Sequence, residues 1–202
     1  MSNSSAKAIN FNGPVENVNP NATTVTTNNN IFLPGNSTSA TTTPLPQSKE
    51  FYHLFVMGIE QFPKVGYHHF NIERDRALTM YISPETKEKF QHIPKDLISE
   101  MKSFPALFLQ ENNGADYGQA APDQYVSKGV VTDISVTDNG IRIDCALMGS
   151  FPQQLLNQYS DEFALVTRGP TKRYSELNTT HWTIKRMNLD LILQECGIVL
   201  NV

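Results

Sequence analysis

Charge is nearly missing from the front of the chain. Between Met1 and Ser48 the only ionisable side chains are Lys7 and Glu16, while Asn, Thr and Ser recur throughout. Such a stretch has too little apolar surface to offset the entropy of ordering it. Cysteine is also scarce. Cys145 and Cys196 are the only two, far apart and in apolar surroundings, with neither a CxxC spacing nor a nearby histidine. That excludes a disulfide framework and a zinc ribbon, and both read as reduced core residues suited to a reducing cytoplasm. No run approaches the roughly 18 to 20 apolar residues that span a bilayer, and no basic n-region or apolar h-region opens the chain. The expectation is a cytoplasmic protein with no membrane partner, so the Asn-x-Ser/Thr matches at Asn3, Asn21, Asn36 and Asn178 are chance products of composition.

Basic charge is not in excess either. The formal net charge is −4 and the pI is near 5.7, which gives no global field to gather phosphates and disfavours nucleic acid as a partner. Lys172, Arg173, Lys185 and Arg186 lie close in sequence and read as a solvated rim. The Gly-rich phosphate loops, the Gly-x-Ser-x-Gly elbow and the His-Glu-x-x-His metal helix are all absent, which excludes the chemistries those loops and helices carry and implies no cofactor.

What remains is a flexible tail and linker over residues 1–48 and a single folded domain over 49–202, about 150 residues in which to build one core. Weakly alternating pieces of the tail, Ala8 to Val15 and Thr23 to Thr27, and the apolar cluster Ile31-Phe32-Leu33 have the pattern of strands that add to a sheet edge, although a polar low-complexity tail is the simpler reading. Within the domain, Phe51 to Ile59 is an apolar run of strand length, and Tyr67 to Asn71 and Ala77 to Ile82 read as extended. Ser83-Pro84-Glu85 carries a cap, a first-turn proline and a carboxylate at the positive end of the dipole, predicting a helix to about His92. A second short helix starts at Pro94, with Leu97, Ile98 and Met101 on one face, and Ala106 to Gln110 follows as a strand. The polar stretch Glu111 to Gln124 reads as a long mobile loop.

The strongest local signal is a hairpin. Lys128 to Thr137 and Ile141 to Met148 flank Asp138-Asn139-Gly140, with Val130, Thr132, Ile134 and Val136 predicted on the apolar face of the first strand and Ile141, Ile143, Cys145 and Leu147 on that of the second. A helix near Leu155, Leu156 and Tyr159 and a strand over Phe163 to Val166 come next. His181 to Met187 is extended, Asn188 caps a last helix from Leu189 to Cys196, Gly197 closes it, and Ile198 to Val202 completes a sheet edge. Intermixed strands and short helices without βαβ spacing make the class α+β, a mostly antiparallel sheet or a small partly open β-barrel with several short helices.

Two groups of residues are candidates for chemistry. His68 and His69 with Glu73 and Asp75 have metal-ligand character, although adjacent histidines on a strand point to opposite faces. Around the only tryptophan, Glu176-Leu177-Asn178-Thr179-Thr180-His181-Trp182-Thr183-Ile184-Lys185 is the most distinctive string. On a strand Trp182 and Ile184 share one face, while His181, Thr183 and Lys185 share the other. Trp182 then anchors the core, or His181 and Lys185 project together into a groove.

That string, with the Gly-Val-Val-Thr-Asp-Ile…Asp-Asn-Gly-Ile-Arg-Ile hairpin upstream, resembles a module of uncharacterised bacterial proteins, some associated with anti-phage defence. The resemblance covers roughly residues 77 to 197 and implies a bacterial cytoplasmic setting and a sensing or adaptor role, with no catalytic residues to carry over. The opening Ile9-Asn10-Phe11-Asn12-Gly13 also resembles polar leaders of some defence proteins. The functional expectation is a non-enzymatic binding or adaptor protein that engages a protein partner or itself, with a groove near Trp182 and the 111–124 loop. The alternatives are a metal-dependent hydrolase or nuclease built on His68, His69, Glu73 and Asp75, and a single-strand nucleic-acid binder using Tyr125, Trp182, Lys185 and Arg186.

Overall fold

The apolar run after Lys49 becomes β1, Tyr52–Met57, and all six of its residues are buried. Burial on both faces is what an interior strand demands, and β1 lies one strand in from the edge of a six-stranded sheet. The other members are β2 (Val65–Ile72), β3 (Pro105–Gln110), β4 (Tyr125–Thr137), β5 (Gly140–Pro152) and β8 (His181–Lys185), and β6 (Thr167–Arg168) and β7 (Tyr174–Ser175) form a separate two-stranded ribbon. The order is β2-β5-β4-β3-β1-β8. Only β1 and β3 run parallel, joined by the crossover that carries β2 and the helices α1 (Pro84–Phe90) and α2 (Ile98–Lys102). The structure, a computed structural model, describes residues 47–116, 118–168 and 174–202. The tail segments named in the sequence reading, and Lys172 and Arg173, lie outside the described residues.

This is the expected α+β fold in its open form. The edges β2 and β8 are not joined by a ladder, and a single bridge from Ala77 to Trp182 links the chain leaving β2 to the far edge. One core lies on the face of Phe55, Phe108, Ile143 and Trp182, capped by Phe90 and Met101 from the two helices. The other gathers Leu54, Leu107, Phe151 and Phe163 against α3 (Gln154–Gln158) and α4 (Leu189–Glu195).

The capping signals behave as expected. Ser83 accepts from the backbone N–H of Thr86 at 3.3 Å, and Asn188 Oδ1 accepts from that of Leu191 at 3.3 Å. Gly197 takes the left-handed conformation (φ 65°) just beyond α4. Ile141, Ile143, Cys145 and Leu147 are all buried.

Three readings need correction. Between Val130 and Thr137 the buried residues of β4 are Val131 and Ile134, while Val136 is 53% exposed and Val130 only half-buried. The register shift between Lys128 and Gly129 skips Met148 of β5, and that between Val131 and Asp133 skips Thr132 of β4; the extra residue in β4 moves everything beyond it to the other face and breaks the period of two. Ala77 to Ile82 is not a strand, because Leu78 (φ 55°) and Tyr81 (φ 56°) are left-handed and only Ala77 bridges. Phe163 to Val166 is a turn in which Ala164 is left-handed (φ 51°) and Phe163 fills the second core.

The first bulge makes a test. A Cβ on Gly129 would stand 2.2 Å from the backbone carbonyl oxygen of Ala146, so β4 and β5 would have to separate. Gly129→Ala is expected to lower stability by about 2–3 kcal/mol in urea denaturation, and an unchanged midpoint would show that the two strands do not approach this closely.

Candidate functional site

Strand β8 divides its side chains between two environments. Trp182 is fully buried, stacked on Phe55 with centroids 5.2 Å apart. Its Nε1–H donates to His53 Nδ1 at 3.1 Å, and His53 Nε2 lies 2.9 Å from the Met101 carbonyl oxygen, to which it must donate. His53 is therefore neutral, in one tautomer, with burial pulling its pKa down to about 4. Trp182 is the hub of the first core and presents no face to a base.

On the opposite side His181 and Lys185 are buried as well, at 0% and 6% exposure. Lys185 Nζ donates to the carbonyls of Tyr81 (3.0 Å) and Ala164 (3.1 Å) and stands 2.9 Å from both Glu176 carboxylate oxygens, Oε1 and Oε2, donating to Oε2. Both side chains of that ion pair are almost sealed, at 7% and 0% exposure. Burial raises the Glu176 pKa and the Lys185 charge opposes the rise. The Tyr52 phenol is pushed well up, first by burial and then by the Glu176 charge. His181 Nδ1 lies 2.7 Å from the Thr179 carbonyl oxygen and so carries the proton, which leaves Nε2 an open lone pair. Burial pulls the His181 pKa down to about 4.

Above this pair the 3-10 turn Glu176–Asn178, held at its start by Ser175 Oγ accepting from the Leu177 N–H (3.2 Å), forms the wall of a recess of about 370 Å³. Tyr81, Arg168, Tyr174, Glu176, Asn178 and Thr179 are among its lining residues. A second recess of about 440 Å³ shares Asn178 and Thr179 and runs to Glu73, Arg76 and Glu111. Among the described residues, the buried side-chain polar atoms with no hydrogen bond are Glu176 Oε1, Asn178 Oδ1, His181 Nε2 and Gln153 Oε1. Three of these four fall in the turn and the start of β8; Glu176 Oε1 still faces the Lys185 ammonium at 2.9 Å, so Asn178 Oδ1 and His181 Nε2 are the acceptors left open. Buried polar groups are ordinarily satisfied, and each one left open costs about 1–3 kcal/mol. A local cluster of them therefore marks a place where donors are missing.

The expected binding residues do not gather in one groove. Lys185 and His181 lie on the side of β8 that faces Glu176 and Tyr81, and Trp182 lies on the other, in the first core. Tyr125 lies at the start of β4, on the far side of β3 and β1 from β8, where its hydroxyl donates to the Phe62 carbonyl at 2.7 Å. Arg186 is exposed and paired with Glu50 at 2.9 Å. The 111–124 loop is cross-linked by side-chain amides. Gln124 donates to the Glu111 carbonyl at 2.6 Å and accepts from the N–H groups of Ala121 (2.8 Å) and Asn113 (3.0 Å), while Asn112 and Asn157 exchange hydrogen bonds at 2.9 and 3.1 Å.

His68 Nε2 pairs with Glu60 at 2.8 Å, and the His68 and His69 rings are 6.2 Å apart. Glu73 borders the second recess and Asp75 is an exposed member of the 3-10 turn Arg74–Arg76. Among the described residues no three His, Cys, Asp or Glu side chains come together as a metal site. Cys145 is buried and its thiol is pushed up to about 12, chiefly by desolvation. Among the described residues no helix is long and apolar enough to cross a membrane.

Sequence reading missed Tyr81, Arg168 and Tyr174, which carried no motif. It had Glu176 only as the first letter of a string, and the available signal was a carboxylate placed to meet a lysine on an otherwise apolar strand.

The two buried histidines set a pH dependence. Both pKa values lie near 4 in the fold, against about 6.5 in an unfolded chain. Between those values the unfolded state binds more protons, so stability is full above about pH 6.5 and falls as pH drops toward 4, by up to about 1.4 kcal/mol per pH unit for each histidine. Urea midpoints measured from pH 7.5 to 4.5 are expected to fall, and less steeply in His53→Gln. A flat profile would mean that neither ring is held neutral.

No family model, curated protein or solved structure matches this chain.

Proposed function

We propose that this chain is a binding or adaptor protein that takes up a small polar ligand in the recess bounded by Tyr81, Arg168, Tyr174 and the Glu176–Asn178 turn. The observation that carries the reading is a pair of buried acceptors without donors, Asn178 Oδ1 and His181 Nε2, the first of them on the lining of a recess of about 370 Å³. That volume lies within the range of small-molecule sites, and the open acceptors supply the polar groups that fix a ligand's orientation. The cytoplasmic, bacterial-defence setting implied by the resemblance of the Glu176–Lys185 string belongs to the same proposal, with ligand occupancy as the signal a partner reads.

The test is equilibrium dialysis of the full chain against a small-molecule extract, with mass spectrometry of the retained compounds. A compound retained by the wild type and lost in Asn178→Leu supports the reading. Retention that Asn178→Leu leaves unchanged, or no retention at all, overturns it.

A further inference from the structure

Granted the binding site proposed above, on which the ligand class rests, the walls of the recess differ enough in chemistry to specify its occupant. The inner wall is an acceptor surface. Asn178 Oδ1, on the lining, lacks a donor, while both Glu176 oxygens face the Lys185 ammonium at 2.9 Å. His181 Nε2, also without a donor, belongs to a ring that packs edge-on against Tyr81 with centroids 4.7 Å apart. A group suited to that wall donates hydrogen bonds. It is also uncharged, because Lys185 already sits 2.9 Å from Glu176 and balances its carboxylate, so an incoming ammonium would meet a neutral pair with a cation beside it. A neutral amino group with two N–H bonds fits both conditions.

The outer wall differs. Tyr81 and Tyr174 bring two aromatic rings to the recess, Tyr174 with 63% of its surface exposed. Arg168 brings a guanidinium that makes no ion pair among the described residues. Tyrosine faces stack on planar rings, and a guanidinium pairs with phosphate in a bidentate fork. Amino donors inward, a planar ring at the tyrosines and an anion outward at Arg168 together describe one ligand class.

We propose that the recess binds a nucleotide whose base carries an exocyclic amino group, with that group directed to Asn178, the base against the tyrosines and the phosphate on Arg168. Asn178 Oδ1 has no contact with solvent, so entry of the amino group requires a local rearrangement of the recess lining. The same nucleotide unit occurs free or within a single strand, and the net charge of −4 favours the free form.

Isothermal titration of the full chain with AMP, CMP, IMP and UMP at fixed salt tests this. AMP and CMP are expected to bind at least about tenfold tighter than IMP and UMP, whose bases carry no exocyclic amino group. Arg168→Glu is expected to weaken AMP by about tenfold or more and to leave adenosine unchanged. A single-stranded oligo(dA) titrated in parallel distinguishes the sources. Binding weaker per site than AMP assigns the free nucleotide, whereas tighter binding with a steep salt dependence assigns a strand end. Equal binding of all four nucleotides, or of none, overturns the assignment. If none binds while dialysis still retains another compound in an Asn178-dependent way, the ligand class falls and the binding site stands; if nothing is retained either, both fall.

Discussion

Replacing Lys185 by methionine while Glu176 stays in place is expected to lower stability by about 3–5 kcal/mol, because a carboxylate is left buried without its counter-charge. With a total of about 5–15 kcal/mol for a domain of this size, that loss removes a large share of the stability and is expected to appear as a lower urea midpoint. Glu176 has no exposed side-chain surface. Its remaining contact is the Val166 N–H at 3.2 Å, too little to hold a bare charge. The reciprocal change Glu176→Leu strands the ammonium in the same way, although Lys185 keeps the carbonyls of Tyr81 and Ala164, so its cost is expected to be smaller. The double variant Lys185→Met/Glu176→Leu is the informative one. Replacing a buried pair by apolar groups of similar volume is often neutral, so it is expected to recover most of the stability lost in Lys185→Met. A double variant as unstable as the sum of the two singles would mean that the pair is not coupled as its 2.9 Å separation requires.

Trp182→Ala is expected to cost about 3–5 kcal/mol in cavity and transfer terms, and the chemistry of its neighbour adds to this. The indole N–H occupies His53 Nδ1, so truncation leaves a buried acceptor open as well as a void beside Phe55 and Phe108. Trp182→Phe separates the two effects, since it keeps the stacking and removes the donor, and is expected to cost about 1–3 kcal/mol. Its urea midpoint, together with the His53 pKa by NMR, makes the check. In Trp182→Phe His53 should titrate closer to 6.5 than in the wild type, because its free nitrogen no longer accepts a bond that protonation would break. No upward movement would place the cause of its low pKa wholly in burial.

Local chemistry was the part of the fold that could be read in advance. Ser83-Pro84, Asn188 and Gly197 act through hydrogen bonds and dihedral angles confined to their own neighbourhoods, and the Asn-Gly turn closes β4 on β5 by the same kind of rule. The bulge at Thr132 in β4 escaped because nothing in Lys128 to Asp133 shows that one residue will be left without a partner, and beyond it the alternation points to the wrong face. Tyr81 looked extended because its left-handed turn is imposed from outside: its carbonyl is taken by Lys185, 104 residues further along the chain. The site was half legible for a related reason. The Glu176–Lys185 string stood out as a string, and the division of Trp182 from His181 and Lys185 followed from strand geometry. The sealing of Lys185 against Glu176 depends on the 3-10 turn folding back over β8. The recess needs Arg168 and Tyr174 from a ribbon too short to leave a pattern.

The most direct test of the binding site is a ¹H–¹⁵N NMR titration of the full chain with a library of small polar fragments. Hits are expected to move the amides of Tyr81, Val166, Ser175, Asn178 and Thr179 together and to leave those of Tyr125 and Tyr67 in place. Shifts concentrated around Tyr125 and Asp123, or on the exposed face of β2, with the Glu176–Thr179 turn unmoved, would contradict a ligand site in this recess.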